Sequence, residues 1–207
     1  MSKNNGIKKL PMPKIPRNRL EALSDGIFAI VMTLLVLGIE VPTLPANVTP
    51  IVVGDYIFNT LLPQIGIYII SFAILGSLWL NHNIFYSIKY TDVKFQILNM
   101  LWLMPIAIVP FTAAFVSKYG QYQFAQLIFA LNMFIIGVIF YANWNYAVKN
   151  ELLQEPAKPY AKMIKQGNLI LPILSLIAIA VSFIVPEGCM LVFILVIFYN
   201  LQSYFKN

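Results

Sequence analysis

Few side chains in this 207-residue sequence could do chemistry, and they sit within or at the ends of long apolar runs. The first such run opens Arg19-Leu20-Glu21-Ala22-Leu23-Ser24-Asp25-Gly26, and the second closes Trp79-Leu80-Asn81-His82-Asn83. Polar groups at membrane depth are costly, so an acid and an imidazole there point to a use: a proton relay, an ion path or a hydrogen-bonded anchor. His82 is the only histidine. It can titrate near neutrality, which would allow pH sensing, or it can serve as a structural donor. Asp25 lies six residues beyond Arg19, about 9 Å along a helix and about 600° around it. The two side chains therefore do not share a face, and each is expected to find partners on other helices. Glu21 reads as an acid favoured by the helix dipole in a first turn, and Ser24 or Asp25 could cap the helix start.

Between Asp25 and Glu40 the one polar side chain is Thr33. Ile30, Leu34 and Leu37 fall at i, i+4 and i+7 on one stripe, and Thr33 borders it. Spacing alone leaves that stripe open to lipid contact, packing or a pore, and a threonine in such a place usually bonds back to its own helix. The chain has no Gly-rich phosphate loop, metal-ligand cluster, serine elbow or His-x-x-x-His pair, so catalytic residues are expected to be none and the protein no enzyme. Cys189 is alone and defines no disulfide framework.

The elements that must carry these residues follow from composition. Apolar residues make up 59% and charged residues 11%, against roughly 45–50% and about 25% in soluble domains. Mean hydropathy is +0.76. So few charges cannot cover a water-soluble surface, which excludes soluble and disordered classes and predicts an all-α membrane protein. Six apolar runs, about 20–41, 56–80, 95–117, 122–147, 168–185 and 188–205, are each near the ~20 residues a spanning helix needs. They form a single domain, 1–207. Pro63, Pro105 and Pro110 are expected to kink their helices rather than break them. Pro186-Glu187-Gly188 supplies hairpin chemistry between the last two runs.

Charge sets the expected orientation. Lys3, Lys8, Lys9, Lys14, Arg17 and Arg19 precede the first run, Lys89 and Lys94 follow the second, and Lys149, Lys158, Lys162 and Lys165 follow the fourth. With Lys206, 13 of the 14 basic residues fall on one side and only Lys118 on the other. That split predicts six crossings with both termini cytoplasmic. It also accounts for the net charge of +6 without nucleic acid. The first run, about 22 residues long, exceeds a signal-peptide core of roughly 7–15 residues and is expected to stay in the mature protein. Asn47-Val48-Thr49 is a glycosylation sequon on the expected outer side, of a kind frequent by chance. Lys158, Lys162 and Lys165 suit either anionic membrane lipids or a solvated loop.

The stretch Arg19 to Pro42, with Arg19, Ser24 and Asp25 on the pattern R-x-x-x-F-S-D, resembles the first helix of the transmembrane protein 175 family of potassium channels. Leu23 stands where that pattern has phenylalanine, a departure that bears on how the motif packs. Trp79-x-x-His82 resembles the same family, and six helices in a single repeat are similar to its prokaryotic members. The resemblance implies a homotetramer whose four first helices surround a central pore, without a T-V-G-Y-G filter, in the plasma membrane. It implies a pore-lining constriction of Ile30, Leu34 and Leu37 and selectivity from the Thr33 hydroxyls. It further implies a structural hydrogen-bond network of Arg19, Ser24, Asp25, Trp79 and His82. No cofactor or metal beyond permeating potassium is implied. Two classes are therefore in competition: a passive, potassium-preferring cation channel, and a proton-coupled secondary transporter using Asp25 and His82. Six helices without an inverted repeat or a broken-helix pair weigh against the transporter. Glu40 and Asp55, on the expected outer side, could concentrate cations.

Overall fold

The computed structural model describes residues 16–42 and 49–205. Lys3, Lys8, Lys9, Lys14, Lys206 and the Asn47-Val48 part of the sequon lie outside them. Among the described residues the chain is helical and has no strand; an isolated antiparallel bridge joins Ile88 and Leu153. In chain order the helices are α1 (Asn18–Leu34), α2 (Pro50–Tyr56), α3 (Leu62–His82), α4 (Val93–Tyr119), α5 (Gln123–Lys149), α6 (Ala161–Gly167), α7 (Ile170–Ser182), α8 (Cys189–Val192) and α9 (Ile194–Phe205). Five helical stretches are long and apolar enough to cross a membrane: Asn18–Gly38, Pro50–Ser87, Val93–Tyr119, Gln123–Lys149 and Glu155–Ser182. These correspond to the first five expected runs. The sixth run is helical as well but shorter in its apolar part, Cys189–Tyr199, and α8 gives way to α9 at Phe193.

Boundaries shift for local reasons. The second run starts at Pro50 and not near 56, because a proline in a first turn forfeits no helical hydrogen bond. A π-helical turn, Ile57–Leu61, then joins α2 to α3 just ahead of Pro63. Widening the helix there eases the clash between the proline ring and the preceding turn. α4 continues through Pro105 and Pro110 as one helix. Each proline removes its own donor from the ladder, and the buried Asn132 on α5 adds an interhelical bond, donating its Nδ2–H to the Pro105 carbonyl at 3.1 Å. Such interhelical bonds from asparagine are the expected adhesive where lipid offers none.

The antiparallel pair α4 and α5 forms the centre, burying Trp102, Ile106 and Val109 against Phe129, Met133, Ile136 and Trp144. Asp92 caps α4 by accepting from the Phe95 amide at 2.7 Å, and its other oxygen accepts from Tyr146 Oη on the last turn of α5 at 2.6 Å. One carboxylate thus fixes both the start of α4 and its register against α5. α7 packs on the other side of α5, where Gly137 meets Pro172. A Cβ at 137 would lie 2.6 Å from Pro172 Cδ and 2.9 Å from its backbone nitrogen. Gly137→Ala is therefore expected to cost about 1–3 kcal/mol through overpacking. A lowered melting temperature of the purified protein in detergent would report it, and an unchanged one would show that α7 can move away freely.

Candidate functional site

The site is built where the N-terminal ends of α1 and α4 meet the C-terminal end of α3. α1 has two faces. Leu20, Ser24, Phe28, Val31 and Leu35 are buried. Ala22, Asp25, Ala29, Ile30, Thr33, Leu34 and Leu37 are exposed. The apolar residues of the buried face join the main core, with Phe28 tilted against Trp102 of α4 at 5.7 Å between ring centroids. At its far end α1 tightens into a 3-10 turn, Leu35–Gly38. Gly38 lets that turn approach α4, since a Cβ there would sit 3.2 Å from the Ala114 Cβ.

On the buried face the polar groups form a chain of hydrogen bonds with one direction. His82 Nε2 lies 3.3 Å from Asn99 Oδ1, Asn99 Nδ2 donates to Ser24 Oγ at 3.2 Å, and Ser24 Oγ donates to the Leu20 carbonyl at 3.0 Å. Donor and acceptor roles agree along the whole chain when Nε2 carries the imidazole proton. Aromatic rings enclose the imidazole. It stacks on Trp102 at 5.1 Å with the planes 5° apart, and meets Phe85 edge-on at 4.7 Å. Packed this way, His82 ties α3 to α4, and through Asn99 to α1.

Asp25 belongs to a separate contact on the exposed face, accepting from Trp79 Nε1 at 2.9 Å. No hydrogen bond among the described residues joins Asp25 to His82. Arg19 is exposed and enters none of the hydrogen bonds or ion pairs described. Arg17 is the basic residue that reaches across from α1. It bonds the carbonyls of Tyr86 and Ile88, the latter at 2.9 Å, lies over the Tyr86 ring and pairs with Glu21 at 3.3 Å. Within a single chain, then, the five residues expected to form one network divide. Ser24 and His82 are joined through Asn99, Asp25 and Trp79 are paired, and Arg19 stands apart. Helical phase explains the exchange of arginines: Arg17 is one turn before Glu21 on the side of the turn after α3, whereas Arg19, two residues on, faces the other way. Asn99 was the residue sequence reasoning missed, although an asparagine inside an apolar run carried the same signal that singled out Asp25.

Ile30, Thr33, Leu34 and Leu37 all lie on the exposed face; Ile30 is 60% and Leu37 73% exposed. Thr33 Oγ1 donates to the Ile30 carbonyl at 2.7 Å, which commits its proton to the helix and leaves the oxygen lone pairs turned outward. No group of three or more metal-ligating side chains occurs among the described residues. A cavity of about 780 Å³ lies between the turn after α3 and the segment that leads into α6, among Asn81, Tyr86, Gln154, Tyr160 and Met163. Its lining has no acid, histidine or cysteine.

Comparison with known proteins bears on the same residues. The model of the family described as the endosomal/lysosomal potassium channel TMEM175 matches residues 19–110, which include α1, α3 and Asn99. A protein named as a potassium channel from Chamaesiphon minutus is 34% identical over 192 residues, 89% of this chain and 94% of its own length. Another so named, from Streptomyces collinus, is 31% identical over 145 residues, 67% of this chain and 68% of its own. The crystal structure of a lysosomal potassium-selective channel TMEM175 homolog from Chamaesiphon minutus superimposes with a TM-score of 0.75 at 32% identity. It covers 90% of this chain and 97% of that one.

Proposed function

The chain belongs to the TMEM175 family, a family of channels and not of enzymes, and from that premise we propose a multi-pass potassium channel of the plasma membrane, conducting passively through a central pore in a homotetramer. Each copy crosses six times with both termini cytoplasmic, and four copies of α1 line the pore. Ile30, Leu34 and Leu37 form the constriction, which gates by drying and wetting. Thr33 supplies the selectivity, with hydroxyl oxygens that replace part of an ion's hydration shell.

One observation carries this reading. A single copy buries one face of α1 in its own core and leaves Ile30, Thr33, Leu34 and Leu37 together on the other. The Thr33 hydrogen bond supports it further, because an oxygen whose proton is held by Ile30 can only accept from, or coordinate, whatever faces it. Arg19 and Asp25 lie on the exposed side too, so they complete the structural network between neighbouring copies. Trp79 steadies Asp25, and the Ser24–Asn99–His82 chain holds α1 from behind.

The test is flux from liposomes containing the purified protein, potassium against sodium, beside a Thr33→Ala variant. Fast, potassium-preferring flux is expected. Thr33→Ala should lower the potassium-to-sodium ratio by about fivefold, the equivalent of about 1 kcal/mol. An unchanged ratio removes Thr33 from selectivity. Slow, saturable or proton-dependent flux would replace the channel by the transporter, with Asp25 and His82 as the next residues to alter.

A further inference from the structure

Lys118 is the one basic residue that the charge distribution places on the outer side, and the pore reading gives it nothing to do. It ends α4 and reaches Glu40, just beyond the 3-10 turn that closes α1. Its Nζ lies 3.0 Å from Glu40 Oε1 and 3.4 Å from Oε2, so it spans both carboxylate oxygens. Both side chains are more than half exposed, at 54% and 60%. A pair so wetted contributes little to stability, and its position in the fold therefore needs another account.

Residue 40 is held with unusual completeness for an exposed position. Its amide donates to Oε1 of the buried Gln64 on α3 at 3.1 Å. Its carbonyl accepts from Tyr56 Oη on α2 at 2.6 Å, and its carboxylate is met by α4. Amide, carbonyl and carboxylate are each bound by a different side chain, two from the continuous stretch of α2 and α3 and one from α4. Asp55, another acid on this side, has among the described residues a hydrogen bond from Asn59 of its own helical stretch, at 2.6 Å.

We infer that Glu40 is mounted at the outer mouth of the pore as the carboxylate that concentrates cations, and that Lys118 sets its strength by neutralising part of that charge. This rests on the reading of α1 as the pore helix, which puts four copies of the Glu40–Lys118 pair around the outer entrance. Charges of one sign around a narrow, low-dielectric opening raise the local counter-ion concentration and the rate of entry. With Lys118 opposite, each Glu40 presents a dipole in place of a full charge. Removing Lys118 frees four negative charges at the entrance, and removing Glu40 leaves four positive ones.

Single-channel recording of the full-length protein in planar bilayers with potassium chloride tests this at about 0.01 M and about 1 M salt, where the Debye length is about 30 Å and about 3 Å. At the lower salt, Lys118→Gln should raise inward unitary conductance by about two- to fivefold, and Glu40→Gln should lower it comparably. The double variant should return close to the unaltered protein, and all differences should shrink at the higher salt. A Lys118→Gln conductance unchanged at low salt overturns the inference. So does a change that persists undiminished at 1 M, because screening cannot abolish a purely structural effect. Leu34→Asn recorded in parallel separates the two readings. If it alters conductance while Lys118→Gln does not, only the mouth charge fails. If it and the matching Ile30 and Leu37 variants are all silent while the salt-dependent gain remains, the mouth charge stands and the lining by α1 falls.

Discussion

Leu34→Asn is expected to raise basal potassium flux about tenfold, the equivalent of lowering a dewetting barrier by about 1.4 kcal/mol. The reasoning starts from the shape of α1. Leu34 is the last residue of the α-helix, and Leu37 lies in the 3-10 turn that follows. In a 3-10 turn the side chains at i and i+3 eclipse, so Leu34 and Leu37 stack along one line. With Ile30 one turn earlier they make a continuous aliphatic edge on the exposed face. In a tetramer that edge becomes stacked apolar rings, and water avoids a narrow passage that offers no hydrogen bonds. An amide in one ring supplies eight N–H donors and four carbonyl oxygens and lets the passage wet. Were the same edge facing lipid, asparagine would instead lower stability and leave flux as it was. Potassium efflux from liposomes at matched protein content measures the difference, with Leu34→Val as the apolar control that should stay dry. Unchanged flux for the asparagine variants at Ile30, Leu34 and Leu37 alike would take α1 out of the pore.

The class of the molecule and the position of its first five long helices were legible in the sequence because membrane spans are specified redundantly, by composition, run length and charge together. The exposed stripe of α1 was legible for a similar reason: helical phase places 30, 33, 34 and 37 on adjoining positions whatever they touch. Partners were less legible. The choice of Arg17 over Arg19 to bind the turn after α3 depends on the rotation of α1 about its axis, and two arginines two residues apart face opposite ways whichever is chosen. Asn99 escaped because it lacks the motif context that drew attention to Ser24 and Asp25. Asn132 escaped in the same way. The start of the second helix at Pro50 was hidden by the polar Gly54-Asp55, which ended the apolar run without ending the helix. The pairing of Glu40 with Lys118 needed three dimensions, since 78 residues separate them.

Asn99→Leu should be the most damaging single change to the anchoring of α1, costing about 1–3 kcal/mol, because it leaves a buried donor unpaired. The expected size follows from comparing two effects. Interhelical hydrogen bonds in membranes average only about 0.6 kcal/mol, since the separated helices find other partners. His82 is different, because Trp102 and Phe85 hold it in place and close it off from both water and lipid. Once Asn99 Oδ1 is gone, the imidazole N–H has no acceptor to turn to, and desolvation governs the cost. Ser24 suffers less, because its hydroxyl still donates to the Leu20 carbonyl. It follows that Asn99→Leu combined with His82→Phe should recover most of the loss. A phenyl ring keeps the stack on Trp102 and has nothing to satisfy, and replacing both partners of a hydrogen bond by apolar groups of similar shape can be nearly neutral. Thermal unfolding of the purified protein, followed together with the recovery of tetramer, reads out the two single variants and the double. A double variant as unstable as the sum of the singles would mean that ring packing around His82, and not the bond to Asn99, is what secures α1. Normal unfolding in all three, with altered flux, would instead make the Ser24–Asn99–His82 chain part of the gate, since a bond that moves with the opening of the pore contributes to the balance of states without contributing to the fold.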